Sequence, residues 1–174
     1  GSWGWFGGAE EGDPVMTAHV AHGLKIASNT VNVPEGMLSG AVRWLKNYQD
    51  RQTALLEQGD KFRKLEQLPD GPEKKEALRK LGNYRLTASA TDTLVYSVLA
   101  ECGVKNLPME RYLFRDRLEL PVISQIQLAE ILLDAHRMDD FNKVMPVISQ
   151  FLQQDDSLQT AWLRLPNAGY WWRW

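Results

Sequence analysis

Along most of the chain, apolar positions recur at three- and four-residue intervals, the spacing of helices with one buried face. Asp13-Pro14 supplies a helix start, an acceptor at the N-cap followed by Pro where no amide donor is needed. Met16, Val20, Gly23, Leu24 and Ala27 then follow at helical spacing, as far as a stop at Asn29. A second helix is predicted from Pro34, with Met37, Ala41, Leu45 and Tyr48 on one face, Trp44 beside them, and continuation into the charged segment 57–68. Pro69-Asp70-Gly71-Pro72 is a turn. Its flanks, KFRKLEQ and EKKEALRK, mix both charge signs around a thin stripe of Leu65, Leu68, Leu78 and Leu81. This predicts a charged helical hairpin over 57–82 that projects into solvent.

From Thr87 the set Thr91, Leu94, Val95, Val98, Leu99 and Cys102 predicts a long buried stripe closed by Gly103 at the helix C-terminus. Pro108 starts a short helix to about Arg117, and Pro121 another, with Leu128, Ile131, Leu132 and Ala135 inward. The segment 138–153 gives one more helix, with Phe141, Val144, Met145, Ile148, Phe151 and Leu152 inward. The period then changes: 160–165 alternates, Pro166-Asn167-Ala168-Gly169 is a turn, and Tyr170, Trp172 and Trp174 alternate again, a β-hairpin pattern. The expected fold class is therefore all-α with a short C-terminal β-hairpin. Helix pairs without a strict repeat point to a ring of helical hairpins more than to an open solenoid.

Composition narrows the function classes. The 174 residues are 44% hydrophobic and 24% charged, enough to bury a core, and the formal net charge of -2 speaks against a nucleic-acid partner. No apolar run approaches the roughly 18 residues that span a bilayer. A single cysteine, Cys102, excludes an internal disulfide and a cysteine-based zinc cage. All tryptophans but Trp44 lie in or beside two loop-like segments, GSWGWFGG at the start and YWWRW at the end. With no initiator Met or targeting segment, and an aromatic run at the last residue, residues 1–174 read as a single domain, or part of one, within a larger multidomain protein.

WGWFGG at 3–8, followed by DPVMTAHVAHGLKIA at 13–27, resembles the thioester-domain region of bacterial alpha-2-macroglobulin-like proteins. There a Gly-Trp-aromatic loop precedes a helix of the form D/S-P-x-x-T-A-x-V-x-x-G-L. WLKNYQ at 44–49, LVYSVLAECGV at 94–104 and AWLRLPNAGYWWRW at 161–174 resemble later stretches of that region. The likeness is least clear from 59 to 81. The resemblance implies an alpha/alpha toroid, of which this chain is a partial ring. It also implies a periplasmic or secreted parent acting as an endopeptidase inhibitor: bait cleavage triggers rearrangement, and a thioester captures the protease. The expected partners are target proteases and other domains of the parent, and exposed apolar surface of an incomplete ring would favour a dimer. The family's reactive Cys-x-Glu-Gln is not in this sequence, and Cys102 in AECGVK has no Gln at the required spacing. Either the motif lies upstream in the parent or the parent lacks it, so no reactive residue carries over.

Candidate chemistry is sparse. His19 and His22, with Asp13 nearby, could share a metal, but no third ligand is evident and packing is the expected role. His136 suits a helix C-terminus. Asp139-Asp140 and Asp155-Asp156 lack the spacing of a terpene-cyclase acid cluster and fall at predicted helix boundaries, where Asp caps. Glu10, Glu11 and Asp13 are glycosidase candidates only through their aromatic neighbours. Three scattered histidines support no Ser-His-Asp set, and Gly7-Gly8 lacks the Lys and Ser/Thr of a phosphate loop. No catalytic, cofactor-binding or metal residue is assigned, and no cofactor is expected. The expected function is a non-catalytic scaffold. The alternatives are a toroid enzyme acting on a prenyl or glycan substrate, or a helical-repeat interaction domain.

Overall fold

The computed structural model describes residues 1–4, 12–34 and 36–164. They form seven helices and a two-stranded antiparallel sheet, a mostly helical fold. The chain divides into two compact units, 1–116 and 117–174.

In the first unit, α1 (Pro14–Ala27), α2 (Met37–Glu66) and α4 (Ala90–Glu101) pack on one another. Local chemistry sets where they begin. Asp13 Oδ1 accepts from Met16 N at 2.8 Å, with Pro14 at the first helical position. Ser89 and Asp92 make a reciprocal capping box at the start of α4. α2 follows Gly36, whose φ of 82° is a left-handed conformation that glycine adopts without strain. The shared core is Ala18, Ala21, Ala41, Leu45, Val95, Val98 and Leu99, with Trp3, Trp44 and Tyr48 packed at its margin. Three alanines at this junction let the helix axes approach closely.

The inward face of α1 differs from the expected stripe. Thr17, Ala18 and Ala21 are buried, whereas Gly23 is exposed and Met16, Val20, Leu24 and Ala27 are only half-buried. Close helix packing selected small side chains over large ones. In α2, Ala41 and Leu45 are buried as expected, but Met37 is exposed.

The helix α2 continues into the charged segment, and α3 (Pro72–Lys80) packs back on it without burying any residue of its own. Lys74 Nζ donates to Glu66 O and Leu68 O at 3.0 Å each, closing the carbonyl end of α2 with a cation. The strap 82–89 then returns along α2, where Arg85 N donates to Leu55 O at 3.0 Å. α5 (Leu107–Arg115) starts at Asn106, whose side chain accepts from Met109 N.

In the second unit, α6 (Val122–Asp134) packs on α7 (Met138–Ser149), and Leu128, Leu132, Val144 and Ile148 are buried. Ala135, expected inward, is exposed. The helix expected to reach Gln153 ends at Ser149. Leu152 begins β1 (Leu152–Asp155), which pairs with β2 (Thr160–Leu163) in the register Leu152↔Leu163 to Asp155↔Thr160. The strand expected over 160–165 is present as β2, and its partner among the described residues is β1. Asp155 Oδ1 organises its turn, accepting from Ser157 N, Ser157 Oγ and Leu158 N. The turn expected at 166–169 and the strand at 170–174 lie outside the described residues.

Candidate functional site

The described residues weighed for catalysis are dispersed, and several of them serve a local structural role. His22 Nδ1 lies 2.7 Å from Glu101 Oε2, linking α1 to α4 at an exposed position, and His19 is exposed on α1. Asp13 caps α1. His136 follows α6 with φ 56° and its N donates to Leu133 O, a helix-terminating geometry. Asp139 and Asp140 occupy the first turn of α7, where Asp140 pairs with Arg137 and Lys143. Hydrogen bonds from Lys143 and Arg137 hold the Asp140 carboxyl below its ordinary range. Asp156 sits in the hairpin turn. Glu10 and Glu11 lie outside the described residues. Among the described residues, no three His, Cys, Asp or Glu side chains gather as a metal site.

Cys102 is the C-cap of α4 and is half-buried, not the last member of a buried stripe. Burial pushes its thiol up, and the nearby Lys25 ammonium only partly opposes this. At neutral pH it is a thiol, a poor nucleophile.

The aromatic-glycine segment is legible at Trp3. Its N donates to Thr17 Oγ1 at 3.0 Å, and Thr17 Oγ1 donates back to Trp3 O at 3.2 Å. Trp3 O also accepts from Asp13 N at 2.8 Å. Trp3 is thus tied to the first turn of α1, with its indole against the core. The other rings of this segment, Trp5 and Phe6, lie outside the described residues.

Two arginine-carboxylate clusters hold the strap. Arg85 Nη2 donates to Asp92 Oδ2 at 2.7 Å and Arg85 Nη1 to Gln52 Oε1 at 2.6 Å. Asp92 is 1% exposed and also receives Ser89 N and Ser89 Oγ. Arg115 donates to Asp116 through Nε and Nη2, to Asp60 through Nη1 at 2.8 Å, and to Leu86 O. Asp116 in turn accepts from Ala88 N at 2.7 Å. Tyr112 donates to Asp60 at 2.8 Å; burial, then that bond, push its hydroxyl up to about 12. These are satisfied networks that fix backbone. Sequence reasoning missed them, although Ser89-x-x-Asp92 is a visible capping signature and Gly59 inside a helix is a visible anomaly.

Two adjoining depressions lie along α2. One, of about 750 Å³, is lined by Lys25, Val31, Leu38, Val42 and Arg43, the other, of about 460 Å³, by Gln49, Thr53, Val104 and Leu107, and Lys46 borders both. No family model, curated protein or solved structure matches the chain. No described helix is long and apolar enough to cross a membrane.

Proposed function

We propose that the chain is a non-catalytic scaffold within the thioester-like domain of an alpha-2-macroglobulin-like protease trap. Its helical hairpins would form part of an alpha/alpha toroid, in a periplasmic or secreted parent whose other domains and captured protease are the partners.

The supporting observation is the use made of the family-like stretch. Asp13, Pro14, Thr17 and Ala18, the D-P-x-x-T-A of the resemblance, respectively cap α1, start it, latch Trp3 and fill the core. A motif spent on packing belongs to a scaffold. Of the other candidates, His22 and Asp140 hold ion-pair partners, Asp155 organises a turn, and Cys102 is unsuited to attack at neutral pH.

The test is the parent protein incubated with a broad-specificity endopeptidase. Steric capture leaves the protease active on a small chromogenic peptide and inactive on a large protein substrate. Equal activity on both substrates, after cleavage of the parent, would refute the proposal.

A further inference from the structure

We infer that the groove along α2 is a docking site for an acidic amphipathic helix of a partner protein. Leu38, Val42, Lys46, Gln49, Thr53 and Glu57 recur every three to four residues along its floor. At about 1.5 Å per residue, this stripe runs for about 28 Å, room for five turns of a partner helix. Apolar side chains stand open at both ends, Val31 at 59% and Leu107 at 62% exposure.

Charge selects the partner. Lys25, Arg43 and Lys46 line the larger depression with no carboxylate among its described lining residues, and the smaller one sets Lys105 beside Asp50 and Glu57, so the described lining of the groove carries four cations and two carboxylates. Lys46 pairs with Asp50, whereas Lys25 and Arg43 have no ion-pair partner among the described residues. Carboxylates on the flanks of an apolar spine complement that arrangement.

A second observation points to an occupant. Gln49, 2% exposed, lines the smaller depression, and its Nε2 has no acceptor among the described residues. Leaving such a donor unpaired is costly. A side-chain oxygen on the partner supplies the acceptor once the carboxamide turns toward the groove. The occupant is helical because the groove is floored by a helix whose interior backbone groups are already bonded. An extended segment would find few partners for its own backbone, while a helix satisfies itself.

This inference stands apart from the protease-trap reading: peptide binding can fail while the parent still captures proteases, and the reverse. The probe is a fluorescein-labelled helical peptide of about 18 residues, about 27 Å long, with a leucine spine and glutamate flanks. A control peptide carries lysine flanks on the same spine. Fluorescence anisotropy with the whole chain should show saturable binding of the acidic peptide, weakening as salt rises from about 50 to about 300 mM. Lys25→Glu with Arg43→Glu should weaken it by about tenfold or more and turn the preference toward the lysine peptide. Both side chains lie outside the core, and a thermal melt checks that the variant folds. On binding, the Gln49 side-chain amide resonances should shift in the NMR spectrum. Equal binding of the two peptides, no binding, or binding that leaves the Gln49 amide unmoved overturns the inference. So does tight binding to anionic vesicles that the acidic peptide does not displace.

Discussion

Gly59→Ala separates the tertiary role of this glycine from its local one. Gly59 lies inside α2, where an exposed Gly→Ala change stabilises a helix by about 1 kcal/mol. Here a Cβ would stand 1.9 Å from Arg85 O and 2.9 Å from Arg85 C. Both are backbone atoms, so the strap must move away. That movement breaks the Arg85 N to Leu55 O bond, worth about 1 kcal/mol, and overpacking adds about 1 to 3 kcal/mol. It also pulls Arg85 from the buried Asp92, a pair whose outright rupture costs about 3 to 5 kcal/mol. With part of that last cost realised and the helical gain subtracted, the net loss should be about 2 to 4 kcal/mol. Urea unfolding followed by far-UV circular dichroism reads it as a midpoint lowered by about 1 to 2 M. Combined with Arg85→Ala, the loss should be less than the sum of the two, because both changes dismantle one contact. A Gly59→Ala chain as stable as the native one, or more stable, would refute the close-approach argument.

Thr17→Val keeps the shape of a fully buried side chain but leaves Trp3 N without its acceptor, and should cost about 1 to 3 kcal/mol in the same assay. Asp92→Asn removes the charge that Arg85 and the capping box share; a loss of about 2 to 4 kcal/mol by thermal melting is expected. Tyr112 has a folded pKa of about 12 against 10.0 ordinarily, so its contribution is complete below pH 10 and is lost as pH rises toward 12. Tyr112→Phe should therefore flatten part of the alkaline loss of stability between those limits, measured by urea midpoints at successive pH values.

Helix boundaries were the most legible feature, because their signals are local. Asp13-Pro14, Pro108 and Pro121 each stand within two residues of a helix start, and Gly103 follows the end of α4 with φ 78°. Which face turns inward was less legible. Thr17, Ala18 and Ala21 carry little hydrophobic signal, and only the approach of α2 and α4 makes them the buried face of α1. β1 was hidden because LQQD is short and mostly polar, with no alternating apolar pattern to mark a strand. The buried position of Gln49 was invisible, since a glutamine on a helix reads as solvated until its neighbours are known. Arg85 and Asp92 are seven residues apart, with only the capping box to hint at their meeting.

The strap also has a mechanical consequence. Asp60, held by Tyr112 and Arg115 of α5, is the last anchorage of α2 that does not depend on the strap, so without the strap the helix would overhang from there to Glu66, about 9 Å. Arg63 Nη2 reaches Leu86 O at 2.8 Å, which moves the last anchorage outward and leaves an overhang of only about 5 Å. The bending stiffness of a cantilever rises with the inverse cube of its free length. A twofold shortening therefore stiffens the charged hairpin about eightfold, into a post that holds its charges at a set position.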